Sequence, residues 1–379
     1  MSLRGDDCYV DEDLRCAETL PASAFYDPAF LERELATVFR SSWQLLAPPG
    51  EDPRPLEDQL AVRGSRVPVS INGRSLFLQR GWDDDVLRAF PNTCTHAWHR
   101  LVLGASRGPT LVCPQHGRRF DCTGRFVSQP GFSDLPDFPR PCDHLTELPV
   151  ATWRRMMFAS FDPGASPLPT VLAELDASLI YMPLASQPVF ASEREVAGNW
   201  KLHAWNYLDK FHIGFVHRAP GGLADAIDLA SYKIELYDHA VLQWAWSANP
   251  DDGFDPSWLP PRFHDNAGRR VFALWWLVFP NVMLNFYPWG LSVNVLQPVP
   301  GRPEITRFGW YQWPIDADKF AQRDRRWLSA QVDAEDVDAL AQVSRGLRSG
   351  YAPRGRFAPG HEEAPHWFHR HVSRAVLGT

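Results

Sequence analysis

Two short stretches limit what this chain can become. "CTHAWHRL" (94–101) places Cys94 two residues before His96, and "CPQHG" (113–117) places Cys113 three residues before His116. Groups this near in sequence cannot fold apart, so each pair must form a hairpin tip offering two ligand atoms. Sixteen residues, 97 to 112, separate the halves, and "ASRGPT" within that gap supplies a turn, so the two tips can face each other.

Two cysteines and two histidines suit either of two metal centres. Zinc takes them tetrahedrally, whereas a Rieske [2Fe–2S] cluster takes the cysteines on one iron and the histidines on the other. Zinc fingers keep like ligands together. Here each tip supplies one Cys and one His in the same order, which favours the asymmetric cluster. His99 falls outside the spacing and reads as a surface or neighbouring histidine. Cys8, Cys16, Cys122 and Cys142 lack comparable company and read as free thiols, because six cysteines in 379 residues make no disulfide framework.

Such a cluster only carries electrons, so a second site must use them. "NWKLHAWNYLDKFHIGFVH" (199–217) is the best candidate. His212 and His217 lie five apart, about 140° around an ideal helix. They reach one metal only if the helix ends or bulges between them, and Gly214 is the expected break. Asp209, three before His212, is expected on the same helix face. Two histidines and one carboxylate make the facial triad of non-haem iron enzymes. "QVDAEDVDALAQVSRGL" (331–347) offers the acid. If Leu340, Val343 and Leu347 mark the buried face of a helix there, Asp336 points inward and Asp333 is the runner-up. Glu335 and Asp338 then point away.

The remaining text organises around these sites. "DPAFLERELATVF" (27–39) reads as a helix with Asp27 as N-cap and Pro28 in the first turn. Residues 41–160 hold short apolar runs broken by Gly, Pro, Asn and Asp, the pattern of an antiparallel β domain. "FDPGASPLPT" (161–170) reads as a linker. Beyond it a helical block at 199–212, long strand-like runs between 270 and 315 and a helical stretch at 316–349 complete an α+β arrangement. The expected divisions are 1–40, 41–160 and 161–379. Net charge is −7 with no basic block, so nucleic acid and anionic membranes are poor partners. No apolar run is long enough to span a bilayer. The acidic start lacks the apolar core of a signal peptide, so a cytoplasmic location is expected.

Taken together, "CTH…CPQHG", "NWK…N", an acid three residues before His212, His217 five beyond it, and "ED" followed by "GL" resemble the Rieske non-haem iron ring-hydroxylating oxygenases, alpha (terminal oxygenase) subunit. The likeness runs in order from about residue 25 to 375. It implies an antiparallel Rieske domain ahead of a catalytic domain with a curved antiparallel sheet and covering helices of helix-grip type. It implies one [2Fe–2S] cluster per chain on Cys94, His96, Cys113 and His116, and one mononuclear Fe(II) on His212, His217 and Asp336. Asp209 matches the family's bridging acid, which would bond a cluster histidine, His116, of another subunit in a homotrimer. A ferredoxin or an NAD(P)H-dependent flavin reductase would supply electrons. O₂ and those electrons would then hydroxylate, or oxidatively demethylate, a small organic substrate. Cis-dihydroxylation of an aromatic ring is the alternative, and an electron carrier or a zinc-stabilised binding protein the remoter ones. "PNVMLNFYPWGLSVN" (280–294) looks like the matching stretch of choline- and betaine-type monooxygenases. The pocket is expected to draw on 200–225 and 272–296, and to take an apolar, aromatic or cationic molecule. Three departures stand out. Gln115 replaces the usual aromatic and Arg118 the frequent Trp, both expected on a partner surface. Trp205 replaces a frequent Glu, expected beside the triad.

Overall fold

The computed structural model describes residues 8–46, 54–181, 190–217, 222–324 and 328–378. The chain forms two compact units: one contains residues up to Phe39 together with Pro169–Thr379, the other Arg40–Leu168.

In the first unit, α1 (Pro28–Ala36) starts as the sequence indicates. The Asp27 carboxylate accepts from the Ala29 amide at 2.9 Å, and Pro28 occupies the first turn. Leu31, Leu35 and Val38 are buried.

The second unit is built of short antiparallel strands. β1 (Gln44–Leu45) pairs with β10 (Met156–Ala159), which pairs with β9 (Val150–Trp153). A four-stranded sheet runs β4 (Leu87–Pro91), β3 (Arg74–Arg80), β2 (Ser65–Ile71), β5 (Ser106–Arg107). A third sheet orders β6 (Thr110–Val112), β7 (Arg119–Asp121) and β8 (Phe126–Ser128). Phe77, Phe90, Leu101, Leu111 and Phe120 form a core that also holds Cys94 and Cys113. The paired tips are therefore anchored in apolar packing.

The rest of the first unit is one seven-stranded antiparallel sheet with helices. The strands are β11 (Phe190–Ala197), β12 (Lys233–Leu236), β13 (Ala240–Trp246), β14 (Val271–Val278), β15 (Val282–Tyr287), β16 (Gly290–Val299) and β17 (Arg302–Pro314). β12 to β17 form a meander, and β11 pairs with β17, giving the order β11-β17-β16-β15-β14-β13-β12. β14, "VFALWWLV", is buried along its whole length. A strand covered on both faces has no reason to alternate apolar with polar, which explains its continuous apolar run. Helices α2 (Trp200–Leu208) and α5 (Glu363–Leu377) join α1 and the inner residues Val241, Leu277, Met283 and Leu296 in one core. The fold is α+β, a sheet-rich unit of short strands and a helix-covered antiparallel sheet.

The "NWK" triplet proves to be scaffolding. Asn199 caps α2 by accepting from the Lys201 amide at 3.0 Å and donates to the Pro303 carbonyl at 2.7 Å. Trp200 Nε1 donates to Glu34 of α1 at 3.1 Å, and Lys201 Nζ pairs with Glu34 at 2.7 Å. Both charges are fully buried. Removing either would strand the other, so the pair fixes the start of α2 against α1.

Candidate functional site

α2 ends at Leu208, and Asp209 caps it with its amide directed at the Trp205 and Asn206 carbonyls. Four residues after Asp209 a one-turn helix, α3 (Ile213–Val216), begins. His212 precedes α3 and His217 follows it. The helix therefore breaks before both histidines, not between them at Gly214, and Asp209 and His212 share no helix face. The break achieves the same end. The two Nε2 atoms come within 3.1 Å.

The third group comes from α4 (Leu328–Leu347), where Asp336 Oδ1 stands 3.1 Å from His217 Nε2 and 3.5 Å from His212 Nε2. The three ligand atoms lie within 4.8 Å of one another, and no other such group of three occurs among the described residues. Asn206, the "N" of the motif, bonds the Asp336 side chain. The Asp333 side chain lies outside the described residues. Asp338 is exposed, as expected.

Glu335 corrects the helical phasing. Its Oε2 lies 2.7 Å from His217 Nδ1, so it does not point away. His217 is 2% exposed and has one acid at each ring nitrogen, Asp336 at Nε2 and Glu335 at Nδ1. Val343, read as part of the buried face, is 45% exposed, while Leu340 is buried and Leu347 packs partly on the core. The face directed inward is thus rotated toward Glu335.

Three carboxylates surround the two imidazoles. Asp209 Oδ2 is 3.6 Å from His212 Nδ1, and its Oδ1 accepts from the Phe211 amide at 2.8 Å. Burial pushes His212 down, but Asp209 and Asp336 outweigh it and bring it up to about 9. His217 is raised in the same way against its desolvation, by Asp336 and Glu335. Desolvation disfavours the Asp336 carboxylate, yet His212, His217 and Asn206 hold it below the usual carboxylate range. This surplus of negative charge suits a bound cation. So does Asp336 Oδ1, a buried oxygen without a hydrogen-bond donor. Two nitrogens and one oxygen are the donors of a non-haem Fe(II) triad, so the residues present fit that metal.

The triad opens on a cavity of about 560 Å³. Residues from 200–225 and 272–296 line it, among them Tyr207, Leu223, Trp275, Tyr287 and Trp289. The sequence reading missed three contributing strands, β11 with Arg194, β13 with Gln243 and β17 with Phe308 and Trp310. Tyr232 stacks on Trp275 at 5.7 Å and 10°, and Tyr287 on Trp289 at 4.9 Å and 11°. Tyr207 donates to Asn285 at 2.9 Å. Trp205 packs elsewhere, edge-on to His369 at 4.5 Å and near Phe25 and Phe357, so its replacement of an acid is a matter of core packing.

The Cys/His tips repeat one turn. The Cys94 amide donates to the His99 carbonyl and Trp98 donates back to Cys94. The Cys113 amide donates to Arg118 and Gly117 donates back to Cys113. Both turns need positive φ four residues after the cysteine, supplied by Trp98 at 60° and Gly117 at 69°. His99 serves through its backbone carbonyl, and its Nδ1 lies 2.6 Å from the Arg100 carbonyl. Cys94 and Cys113 are buried and within side-chain bonding reach; burial, then that contact, raises the Cys94 thiol. The His96 and His116 rings stand 4.8 Å apart, with His116 exposed. A sulfur pair inside and an imidazole pair outside fits a two-iron cluster, and the four do not close on one point as a zinc site would. None of the six cysteines forms a disulfide.

Of the two residues expected on a partner surface, Gln115 is exposed but Arg118 is 1% exposed. Arg118 belongs to the interior.

A two-histidine, one-carboxylate triad on an aromatic cavity, in a chain that also carries paired Cys/His tips, defines an iron oxygenase fed by its own electron relay. The comparisons agree. Residues 185–378 match the family model of the ring hydroxylating alpha subunit catalytic domain, and residues 55–139 match that of the Rieske [2Fe-2S] domain. The chain belongs to the family of Rieske ring-hydroxylating oxygenase alpha subunits, whose members carry a [2Fe–2S] cluster and a mononuclear iron. It is 25% identical over 350 residues to the carnitine monooxygenase oxygenase subunit of Acinetobacter pittii, covering 90% of this chain and 88% of the relative. It is 27% identical over 376 residues to the chloroplastic choline monooxygenase of Arabidopsis thaliana, covering 94% and 82%. Among solved structures it shares its fold with the quaternary ammonium Rieske monooxygenase CntA, at a TM-score of 0.71 and 22% identity over 99% of both chains. Naphthalene 1,2-dioxygenase from Rhodococcus sp. follows at 0.70 and 18% over 95% and 94%. Among the described residues no helix is long and apolar enough to cross a membrane.

Proposed function

We propose that this chain is the terminal oxygenase of a monooxygenase acting on a small quaternary ammonium compound. The observation that carries the reading is the aromatic wall beside the triad. Two stacked pairs, Tyr232 with Trp275 and Tyr287 with Trp289, line the cavity that His212, His217 and Asp336 open onto. Aromatic faces attract a trimethylammonium group without the desolvation cost that a carboxylate partner would carry. Arg194 lines the same cavity and offers a guanidinium to a substrate carboxylate, which extends the reading to carnitine- and betaine-like zwitterions. The names of the relatives point the same way.

His212, His217 and Asp336 would hold one Fe(II) per chain, and Cys94, His96, Cys113 and His116 would hold one [2Fe–2S] cluster. When bound, the cluster supplies single electrons and the iron activates O₂. Glu335 would fix the His217 imidazole through its hydrogen bond at Nδ1, and Asp209 stands 3.6 Å from Nδ1 of His212. Asp209 also bridges toward a neighbouring subunit's cluster in a homotrimer, with a ferredoxin or flavin reductase as the electron source.

The test is turnover with a surrogate reductase, NADH and ¹⁸O₂ on carnitine, choline and naphthalene. One labelled oxygen in a product from a trimethylammonium substrate supports the reading. Two labelled oxygens in a naphthalene product, with the cationic substrates inert, would overturn it in favour of ring dihydroxylation. Asp336→Ala should abolish product while the Rieske EPR signal persists.

A further inference from the structure

The sheet face behind the cavity carries a polar row. Antiparallel pairing sets Trp275 of β14 opposite Asn285 of β15, Asn285 opposite Ser292 of β16, and Ser292 opposite Gln312 of β17. Asn294 stands two residues beyond Ser292 on β16, so it shares that face. All five line the cavity. Most of a small-molecule pocket is apolar, and its few polar groups fix the orientation of the ligand.

The hydrogen bonds of this row leave one donor group over. Asn285 Nδ2 donates to the Ser292 backbone carbonyl at 3.1 Å. A carbonyl only accepts, so this contact fixes which end of the Asn285 amide is the nitrogen. The same Nδ2 donates to Asn294 at 3.0 Å, which must therefore present its Oδ1. On the other side Tyr207 of α2 donates its hydroxyl to Asn285 Oδ1 at 2.9 Å. Both ends of the Asn285 amide are thus engaged, and Asn294 is held with its oxygen toward Asn285. Asn294 Nδ2 has no hydrogen-bond partner among the described residues. Asn294 is half-buried, and this nitrogen keeps access to the cavity.

The charge of the lining decides what such a donor takes. Apart from Asp209 and Asp336 at the iron site, no carboxylate lines the cavity among the described residues. Its one arginine or lysine there is Arg194. Arg194 pairs with Phe308, which pairs with Leu296, two residues beyond Asn294, so Arg194 and Asn294 share a sheet face. The aromatic pairs lie to the other side, with Trp275 on β14 and Tyr287 on β15. Neighbouring strands are about 4.8 Å apart, so β16 and β14 are separated by about 10 Å. One side of the cavity is therefore rich in donors and the other in aromatic faces, and a short dipolar molecule spans the two.

We propose that Asn294 is a specificity-determining residue that holds the carboxylate of the substrate, so that the enzyme selects trimethylammonium carboxylates over trimethylammonium alcohols. This rests on the quaternary ammonium reading above and narrows it. The ammonium group meets the aromatic faces, and one carboxylate oxygen accepts from Asn294 Nδ2. Arg194 adds positive charge at the exposed edge. Asn285 and Tyr207 act through Asn294, by keeping its oxygen turned away from the ligand.

The test is calorimetric titration of the intact holoprotein with carnitine, carnitine methyl ester and choline. The first two share a skeleton and differ in the carboxylate charge. Wild type should bind carnitine about tenfold tighter than the ester, the difference between a charged and a neutral hydrogen bond. Asn294→Leu should bring the two within about threefold, chiefly by weakening carnitine. Asn294→Asp still accepts from Asn285 but turns an anionic oxygen to the cavity, so it should reverse the preference in favour of the ester and choline. It decides alone if Asn294→Leu does not fold. A merely structural role would weaken all three ligands alike and leave their ratios in place. Equal affinities for carnitine and its ester in wild type, or an undiminished carnitine preference in Asn294→Asp, overturn the proposal and leave the quaternary ammonium reading standing. A wild type that binds none of the three overturns that reading, and this proposal with it.

Discussion

Glu335 offers the sharpest test of the iron site, because no ligand count requires it. Its Oε2 lies 2.7 Å from Nδ1 of His217, a ring 2% exposed. A hydrogen bond to a charged partner contributes about 1.5–3 kcal/mol, and it also holds His217 in the tautomer that leaves Nε2 free for a metal. Glu335→Gln keeps an acceptor but removes the charge, whereas Glu335→Ala leaves the Nδ1 proton buried without a partner. Losing an outer partner of a metal-ligating histidine typically costs roughly 10–100-fold in metal affinity or activity. The expected outcome is a fall of about tenfold for the Gln variant and up to about a hundredfold for Ala, or about 1.4 to 2.8 kcal/mol. Titration of the iron-depleted mononuclear site with Fe(II) against a coloured chelator measures this. The Rieske signal of the same sample serves as the internal standard. A change below about threefold in both variants would refute the reasoning, since it would mean that His217 is oriented without its partner. Parallel loss of cluster and mononuclear iron would refute it too, by showing damage to the chain as a whole.

Asp209→Asn should leave both metals bound yet slow oxidation of the cluster in a single turnover, and an unchanged rate would remove Asp209 from the relay. His369 gives a pH signature. Desolvation, then the charges of Lys201, His366 and Arg354, holds its imidazole down to about 3, while an unfolded histidine titrates near 6.5. The unfolded chain therefore binds more protons between those values. Stability is complete above pH 6.5 and is lost as pH falls toward 3, by roughly 2 kcal/mol at pH 5 from this group alone. His369→Leu should lower the melting temperature at pH 7, since His369 Nδ1 accepts from the Leu20 amide at 3.0 Å. It should also flatten the slope between pH 7 and 5, and a slope equal to wild type would exclude His369 as its source.

How far the letters carry depends on what a position must satisfy. The Cys94/His96 and Cys113/His116 tips were legible because short spacing leaves the backbone few choices, and the structure builds both with the same turn. His212, His217 and Asp336 were legible as a set even though the expected helix break was misplaced. Any interruption between α2 and His217 lets the two imidazoles converge, so the outcome was less sensitive than the route. α1 was legible to its cap, because Asp27 and Pro28 act within their own turn.

The residues behind the ligands were harder to read, for two different reasons. Glu335 was misjudged because a helix face was treated as a single direction. An imidazole is bonded from two nitrogens on different sides, and neighbours 100° apart on α4 can each reach one of them. No spacing rule would have paired Glu335 with His217. Arg118 is a different case, since a signal was present. Phe120 is fully buried, Arg119 opens β7 and Arg118 directly precedes the strand, so the alternation carried back by one residue puts Arg118 inside and Arg119 outside. The chemical identity of arginine hid that geometry by suggesting a surface. A buried cation has to find several acceptors at once, and here those acceptors are Thr95, Asp143 and Gln129, the first of them between Cys94 and His96. The substitution that looked like a change of partner surface is thus a buried tie between the two tips, made through Thr95.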